Sequence, residues 1–472
     1  MNNEVLKFGG SVLKKIEDFD RAADIISEKL GESVLPICVV SALNSVTDRI
    51  IWAVKAAQND HEFAYRSFIK SLYEEHAKAL PGEVHGQPRL LEQFEKLEHV
   101  LDYIRSSGEL TDSTYAYAIS RGENFSAEIL SQHLSVRKIE NEFFNGEDIL
   151  VTDDNCRDAM VDLERTKERI ESRISPCLTR GLVPVVAGFA GRSESGSITI
   201  LGRGGSDDTA VCIAYCLGSS KVTKYVDEDG IMTVDPKFLD EAERSISELG
   251  AGNEKLPPPK VIPYLNYVEA SELLREERTR VVHYKVLDPL MKGNVHFHIR
   301  NMHKPACEGT IIGPELDDND AVRGPKAISF QRKLKGIRFL PTQSRPPIEV
   351  YASVFESLSN AKVDVRYLST SGYQISLLMP QTDMAPALDA LKSLDIAVEV
   401  MPLEGLKGTF SLVGSGMHGV HGLFSKITGI IAKHGVNIEQ ATQPNSENII
   451  RFSVDDRDIP KAVSALYMEF FG

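Results

Sequence analysis

The chain has 472 residues, of which 42% are hydrophobic and 26% charged, a balance typical of a water-soluble globular protein with roughly two to four domains. Its formal net charge of −15 argues against nucleic-acid binding, because a phosphate backbone requires a basic protein surface. The six cysteines lack zinc-site spacing, no apolar run approaches the ~18 residues of a membrane span, and no signal peptide is visible, so we expect a cytoplasmic protein with free thiols.

Apolar strands alternate with helical patterns through the first half of the chain. Strands are predicted at 4–8, 34–42, 181–191, 197–201 and 220–226, and helices at 17–30, 46–58, 61–80, 90–106, 112–132 and 206–217. This alternation predicts an α/β fold, in which helices sandwich a mainly parallel open sheet. Functional residues are then expected on loops at the carboxyl ends of the strands.

The pattern changes after an acidic, proline-containing loop at 313–325. Residues 348–371 and 421–444 repeat one helix–turn–strand pattern at an offset of 73 residues, which predicts a duplicated α+β module. We expect a large α/β domain at 1–315, a linker at 316–330, and modules at 331–400 and 401–472.

A glycine pattern inside the second module matches the dinucleotide-binding fingerprint. Gly414, Gly416 and Gly419 lie between a predicted strand and a helix, and Glu439 follows. Too little chain remains for a complete dinucleotide domain, and the partner repeat lacks the glycines. We therefore favour a tight turn before a packed helix over an oxidoreductase site.

Six short motifs carry the chemistry of the first domain. The chain has neither a Walker P-loop nor the H-R-D loop of protein kinases. The motifs are KFGGSV (7–12), VVSALNSVTD (39–48), SRGENFSA (120–127), GRGGSDDTA (202–210), VDEDGIMTVDPK (226–237) and YKVLDP (284–289). In this order they resemble the aspartate kinases of the amino-acid kinase superfamily, and the C-terminal duplication resembles their tandem, ferredoxin-like ACT modules.

The resemblance implies transfer of the γ-phosphoryl group of ATP to the side-chain carboxylate of L-aspartate, a step toward lysine, threonine and methionine. That carboxylate is already deprotonated at neutral pH, so the protein must mainly bring two anions together in line. By resemblance, Lys7 is the catalytic cation on the β- and γ-phosphates. Asp207 orients Lys7 and caps the helix after the glycine loop, although Ser206 as an ordinary N-cap is the simpler interpretation of that loop.

The resemblance also implies the binding residues. Glu123 would hold the α-amino group of aspartate and Arg203 its α-carboxylate, with hydroxyl contacts from Ser41 and Thr47. Gly9 and Gly10 would donate backbone N–H groups to phosphate. The implied nucleotide-binding set is Lys7, Gly9, Gly10, Ser11, Tyr225, Val226, Asp227, Met232, Lys237, Lys285 and Val286. Mg²⁺ is implied as the ion that neutralises the phosphates, although the sequence contains no dedicated metal cage.

The chain departs from the family pattern around the nucleotide. KFGGSV is one residue shorter than the usual motif, and Val226, Met232, Lys237 and Asp288 replace a usual threonine, tyrosine, arginine and histidine. We therefore expect preserved chemistry with altered nucleotide affinity. Two alternatives stay open: a kinase of the same superfamily with another acidic acceptor, and a non-catalytic amino-acid sensor.

The C-terminal modules imply regulation. By resemblance they would pair in a homodimer or higher homo-oligomer and bind a feedback amino acid near 341–371. Asp364 and Ser369 stand where such a ligand could touch, and strand-end solvation explains them equally well.

Overall fold

The computed structural model describes residues 2–82, 88–239, 242, 256–274, 282–316, 323–341, 346–371, 374–392, 394, 398–443 and 448–472. The chain forms two compact units. The first contains the described residues up to 231 together with 261–274 and 282–316. The second contains the described residues of 232–260 and those from 323 onward.

The first unit alternates strands and helices, as the sequence predicts, but contains several elements that were not predicted. Its strands are β1 (Asn2–Phe8), β2 (Val34–Val40), β3 (Asn141–Phe144), β4 (Val151–Thr152), β5 (Val183–Ala187), β6 (Ala190–Ser193), β7 (Ile198–Ile200), β8 (Lys221–Val226), β9 (Tyr264–Asn266), β10 (His296–Asn301) and β11 (Thr310–Gly313). Its helices are α1 (Ile16–Gly31), α2 (Val46–Gln58), α3 (Glu62–Ala77), α4 (Pro88–Ser107), α5 (Asp112–Val136), α6 (Leu163–Thr179), α7 (Gly205–Leu217), α8 (Tyr267–Leu274) and α9 (Leu287–Gly293).

The main sheet of this unit is largely parallel. In the described residues its strand order is β3-β5-β2-β1-β8-β10-β11-β9, and only the β10–β11 pair is antiparallel. The central strands β2 and β5 are almost wholly buried, as continuous apolar runs in a covered parallel sheet should be. This arrangement confirms the predicted fold class.

One predicted strand is wrong in its extent. The apolar run 181–191 forms two strands, β5 and β6, because the chain turns at Phe189, whose φ of +75° is uncommon for a residue with a side chain. β6 leaves the main sheet and joins the separate small sheet β4-β6-β7. The turn at Phe189 therefore separates the two sheets beside the loop 202–205.

The second unit contains the two α+β repeats. Its elements are β12 (Ala327–Pro341), α10 (Pro347–Asn360), β13 (Tyr367–Ser371), β14 (Gln374–Pro380), α11 (Met384–Lys392), β15 (Val398–Pro402), β16 (Lys407–Val413), α12 (Leu423–Lys433), β17 (Gln440–Thr442), β18 (Ile449–Asp455) and α13 (Ile459–Phe471). The repeated apolar positions are buried: Val354 and Leu358 on α10, and Ile427 and Ile431 on α12. The predicted duplication is confirmed.

The two repeats share the long strand β12. Its first half, from Ala327, pairs with β16, whereas its second half, from Leu334, pairs with β14 and β15. The first repeat is thus inserted between β12 and β16 of the second. The predicted boundaries at 330/331 and 400/401 stay predictions, and residues 317–322 of the predicted linker lie outside the described residues.

A segment from the middle of the chain completes the core of the second repeat. Val234, Phe238 and Leu239 are buried with Phe330 of β12 and Phe410 of β16. The rings of Phe238 and Phe330 have centroids 4.1 Å apart. Part of the proline-rich stretch predicted at 251–263 lies outside the described residues.

The dinucleotide-like glycines form a turn. Gly416 has a φ of +64°, and a Cβ on Gly414 would lie 1.9 Å from the Gly324 carbonyl oxygen, so the glycine permits close backbone packing. Glu439 is ion-paired with Lys407 at 2.5 Å. In the described part of the chain, no helix has the length and apolar character needed to cross a membrane.

Candidate active site

Three neighbouring strands bring the predicted site residues to one edge of the main sheet. β1 lies between β2 and β8 with parallel register, so that Lys7 is beside Val39 on one side and Lys224 on the other. The loops that follow β1 and β2 therefore emerge together at their carboxyl ends. This edge is where ligands bind in open α/β sheets.

The glycine loop before α7 is held in a left-handed conformation. Gly202 and Gly204 have φ values of +72° and +80°. A Cβ on Gly204 would also lie 2.5 Å from the Cβ of His283. Only glycine fits both the dihedral angle and this close approach.

The structure corrects the predicted caps of α7. The helix begins at Gly205, and its N-cap is Gly204 with no side-chain hydrogen bond, so neither Ser206 nor Asp207 caps it. The observed N-cap, the left-handed Gly204, lies two residues before the predicted N-cap Ser206. Asp207 consequently lies inside the first turn, and its carboxylate binds lysines instead of backbone amides.

A cavity of about 220 Å³ opens at this edge. Among its lining residues are all four predicted aspartate-binding residues and the predicted catalytic lysine. The lining consists of Lys7, Ser41, Thr47, Glu123, Phe189, Gly202, Arg203, Gly204, Gly205 and Ser206. Residues from separate motifs, spread over 200 positions of sequence, thus share one small volume. That they bind substrate stays a prediction.

Asp207 joins two buried lysines beside the cavity. Its Oδ1 lies 2.7 Å from Lys7 Nζ, and its Oδ2 accepts a hydrogen bond of 2.7 Å from Lys224 Nζ. Burial opposes ionisation of this carboxyl, but the two ammonium groups outweigh burial and hold the pKa of Asp207 below its usual value. The site therefore contains one carboxylate shared by two cations.

Glu123 is a buried carboxyl group on α5. Its residue is 3% exposed, and within the described residues its Oε2 has no hydrogen-bond partner. Burial raises the pKa of Glu123 to about 8, although its backbone hydrogen bonds and the charge of Lys7 act in the opposite direction. A buried acceptor at the wall of a cavity is suited to an ammonium group of a ligand.

Arg203 supplies the opposite charge at the exposed side of the cavity. Within the ranges that the structure describes, its guanidinium group forms no ion pair, so its planar fork is available to a carboxylate. Two hydroxyl groups lie deeper, where Ser206 donates a hydrogen bond of 3.4 Å to Ser41.

The glycines of the loop after β1 already bond to, or pack against, the backbone of neighbouring segments. The Gly9 N–H donates to the Tyr225 carbonyl at 3.3 Å, so this amide already has a partner. Gly10 packs so closely that a Cβ would lie 2.5 Å from the Ala42 carbonyl oxygen.

The carboxyl group of Asp227, which follows β8, has a lowered pKa. Burial alone would raise this pKa, but hydrogen bonds from Ser11 and Glu228 outweigh burial.

Other predicted nucleotide residues lie in different surroundings. Tyr225, Val226 and Val286 are buried, and the Tyr225 ring stacks on Phe8 with centroids 5.3 Å apart. Lys285 Nζ is ion-paired with Asp158 and donates to the Leu201 carbonyl at 3.2 Å, directly before the glycine loop. Met232 and Lys237 belong to the second unit, where Lys237 is exposed. The nucleotide-binding roles of this set stay predictions.

Sequence reasoning missed Lys224 and Phe189. The signal for Lys224 was a lysine inside KVTKYV, in which every residue after the first is buried. Phe189 gave no signal, since its positive φ depends on tertiary packing: its N–H donates to Thr209 of α7 at 3.0 Å. Within the described residues no group of three or more histidine, cysteine, aspartate or glutamate side chains is placed to hold a metal ion.

Comparison with known proteins identifies two sequence families. The model described as "Amino acid kinase family" matches residues 4–301, and one described as "ACT domain" matches residues 410–470. The first match covers more than half of the chain and contains every residue that lines the cavity.

Curated relatives align along nearly the whole chain. Aspartokinase 1, chloroplastic, of Arabidopsis thaliana is 28% identical over 99% of this chain and 80% of its own length. Lysine-sensitive aspartokinase 3 of Escherichia coli is 24% identical over 99% of both chains. The chain spans 56% of a bifunctional aspartokinase/homoserine dehydrogenase of Haemophilus influenzae, to which it is 27% identical.

Solved structures share the fold. The crystal structure of E. coli aspartokinase III in complex with aspartate and ADP superimposes with a TM-score of 0.79 at 21% identity, covering 99% of this chain and 100% of that one. The aspartate kinase of Clostridium acetobutylicum gives a TM-score of 0.75 at 21% identity, covering 98% and 99%.

Proposed function

This chain belongs to the amino acid kinase family, and from that premise we propose that it is an aspartate kinase, which transfers the γ-phosphoryl group of ATP to the side-chain carboxylate of L-aspartate. The product is 4-phospho-L-aspartate, the entry compound of the route to lysine, threonine and methionine. One observation carries the proposal: Lys7, Glu123 and Arg203 line one cavity together with the hydroxyl residues Ser41 and Thr47.

The charges of the cavity suit an α-amino acid with a second carboxylate. Glu123 would accept hydrogen bonds from the α-ammonium group, and Arg203 would hold the α-carboxylate through two N–H groups. A substrate fixed at both α-groups points its side chain in one direction. The side-chain carboxylate is then the free nucleophile at the lysine side of the cavity.

Phosphoryl transfer here requires positioning and charge stabilisation and no base. A carboxylate oxygen of aspartate attacks the γ-phosphorus, the bond from that phosphorus to the bridging oxygen breaks, and ADP leaves with the electron pair. Lys7 would stabilise the charge on the transferring group, while Asp207 holds its ammonium group in place at 2.7 Å.

ATP would enter as its Mg²⁺ complex. The described residues hold no three-ligand acidic or histidine cluster, so the phosphate oxygens would supply most of the ligands of the ion. When bound, the ion neutralises phosphate charge; binding of aspartate and orientation of Lys7 remain tasks of the protein. Lys285, Ser11 and Asp227 of the first unit remain proposed nucleotide contacts.

The second unit would regulate the first. An ACT domain model matches residues 410–470. One relative, aspartokinase III of Escherichia coli, is described as lysine-sensitive, and one of its crystal structures is a complex with lysine and aspartate. We extend to this chain an amino-acid effector near 341–371 and a homo-oligomer, with cytoplasmic location. In that region the Asp364 carboxylate pairs with Arg366 at 2.5 Å.

A coupled assay of ADP release tests the proposed function. The purified chain is incubated with MgATP and, separately, L-aspartate, L-glutamate, N-acetyl-L-glutamate or no acceptor. We expect turnover with aspartate and little with the other acceptors. Turnover only with another acid would assign a different acceptor, and ligand binding without ADP release in any arm would favour a non-catalytic sensor.

A further inference from the structure

Lys224 is a buried lysine in a strand that is otherwise apolar or hydroxylic. It lies on β8, where Val222, Thr223, Tyr225 and Val226 are also buried, and its own side chain is 8% exposed. Burial of an ammonium group is costly unless a partner of opposite charge compensates. The ammonium group of Lys224 therefore needs a compensating charge inside the protein.

The position of Lys224 relates it directly to the proposed catalytic lysine. Lys224 and Lys7 are register partners on adjacent parallel strands. Each ammonium group lies 2.7 Å from a different oxygen of Asp207. Lys7 lines the cavity, whereas the described lining does not include Lys224. Lys224 can thus act on the cavity through Asp207 and Lys7.

We propose that Lys224 is a positioning residue for phosphoryl transfer: by binding the second oxygen of Asp207, it keeps Lys7 directed at the cavity and leaves the three-residue group with a net positive charge. This inference rests on the proposed function. Without Lys224, Lys7 and Asp207 would form a neutral pair, and an incoming phosphate would have to compete with Asp207 for the ammonium group of Lys7. With Lys224 present, one carboxylate is shared by two ammonium groups, so Lys7 retains more of its attraction for phosphate.

The surroundings of Lys224 make this charge dependent on pH. Burial, together with the neighbouring charge of Lys7, lowers the pKa of Lys224 to about 8, against the opposing effect of Asp207. The charged groups that face it include Lys7 from β1, Asp207 from α7 and Glu228 after its own strand. Below about pH 8 the group carries its extra positive charge; above that pH the charge is lost, and binding of ATP should weaken.

The test compares two variants of Lys224 with a matched control. Lys224→Met removes the charge and keeps the length of the side chain, whereas Lys224→Arg keeps the charge. Lys221→Met makes the same change at the start of the same strand, where the lysine is 37% exposed and lies 3.3 Å from Glu4. For each protein, kcat and the KM values for ATP and aspartate are measured from pH 6.5 to 9.5, and folding is checked by circular dichroism.

We expect Lys224→Met to lower kcat/KM for ATP about 10–100-fold, the usual scale for a group that orients a functional side chain, with little change in KM for aspartate. The wild-type decrease of kcat/KM for ATP above pH 8 should be absent in Lys224→Met, which has no charge to lose, and absent in Lys224→Arg, whose guanidinium group stays protonated throughout this pH range. Lys221→Met should match the wild type in all of these values.

Three other results would contradict either the role of Lys224 or the proposed function. A folded Lys224→Met with wild-type kinetics overturns the role of Lys224 and leaves the proposed function standing. If that variant does not fold, a wild-type kcat/KM for ATP that stays constant between pH 7 and 9 overturns it equally. A wild-type protein that phosphorylates no aspartate overturns the proposed function and this inference together.

Discussion

An acidic and a basic residue of the cavity lie at very different depths. Glu123 is buried within α5, whereas Arg203 stands exposed on a glycine loop. Burial makes the carboxylate selective, since it gains most from a partner that replaces lost water. Because the guanidinium group of Arg203 is exposed, an entering substrate can contact it before it reaches Glu123. Substitutions at these positions should therefore have distinct kinetic signatures.

Arg203→Ala should raise KM for aspartate by about 10–100-fold with a smaller change in kcat, because loss of a charged two-point contact to a non-reacting group weakens ground and transition states alike. Initial rates at varied aspartate measure the effect. Arg173→Ala, at an exposed position on α6, is the control. An unchanged KM for aspartate together with weaker ATP binding would show that Arg203 recognises the nucleotide instead.

Lys7→Ala should lower kcat by about 100–1,000-fold, the scale seen when one charge-stabilising group is removed from a transition state. The exposed Lys15, changed to Ala, is the control for loss of a lysine. Single-turnover measurement of ADP formation reports the chemical step. A normal rate in Lys7→Ala would remove Lys7 from the catalytic role.

The pH profile for aspartate should rise where that for ATP falls. Because burial raises the pKa of Glu123 to about 8, the carboxylate that binds the α-ammonium group forms mainly above that pH in the free protein. We expect kcat/KM for aspartate to increase through pH 8 and to lose this increase in Glu123→Gln. Glu128→Gln removes another buried carboxyl group of the same helix, outside the cavity lining, and should keep the increase.

The same shift has a consequence for stability. A carboxyl group whose pKa is higher in the folded than in the unfolded state favours folding while protonated, so the free energy of unfolding falls as the pH rises from about 4.5 to about 8. Glu123→Gln, which never ionises, should therefore have the higher Tm at pH 8. An equal or lower Tm would mean that the Glu123 carboxylate is compensated in the folded protein.

At the residue level, contiguous motifs predicted side chains that lie together, whereas their binding roles stay predictions. The motifs at 39–48, 120–127 and 202–210 identified four side chains that converge on the cavity. Lys224 was missed because its place beside Lys7 depends on the register of β8 beside β1, which no local pattern specifies. The capping role given to Asp207 was wrong because a left-handed glycine, and not an acidic side chain, begins α7.

At the level of elements, the glycine loop and α7 form one rigid support for the site. Gly204→Ala should destabilise the protein by about 2–4 kcal/mol, because it adds the ~1–2 kcal/mol cost of a left-handed residue to a clash with His283. Gly181→Ala is the matched control, with a φ of +76° and no atom within 4 Å of the added Cβ. Chemical denaturation measures both; equal losses would mean that His283 moves aside at no cost.

Helices with clear apolar periodicity were predictable, and short irregular elements were not. α2 was predicted at 46–58 and is observed at Val46–Gln58. By contrast, the two-residue strand β4 and the turn at Phe189 depend on pairing with distant strands. The charged helix α6, Leu163–Thr179, was not predicted at all. Its mixture of charges hides the few buried positions, such as Ile170 and Ile174.

At the level of the whole molecule, the order of the chain does not follow the order of the units. The segment that begins at Met232 joins the second unit, and the chain returns to the first before it enters the second again. Length and composition could not predict which unit contains this segment, because its apolar residues are equally suited to burial in either hydrophobic core. The resemblance to a family predicted the two kinds of domain, but it did not predict that the segment from Met232 belongs to the second unit.

Removal of the C-terminal modules should leave this segment without its core. A chain that ends at residue 316 retains Val234 and Phe238 but lacks the strands β12 and β16 that bury them. We expect this truncated chain to bind the hydrophobic dye ANS and to associate, as measured by fluorescence and light scattering. The same truncation with Val234→Ser and Phe238→Ser should bind less dye. Dye binding as low as that of the full chain would contradict this expectation.

The hydrogen bond of 3.1 Å between Thr233 and Tyr467 joins residues from the middle and the very end of the chain. On the ribosome, at about 5–20 residues per second, the first of these emerges on the order of ten seconds or more before its partner is made. The first unit of this protein is therefore synthesised together with an apolar segment whose partner strands and helix are made only near the end of translation. Such a nascent chain is a natural client for a chaperone that binds exposed hydrophobic segments.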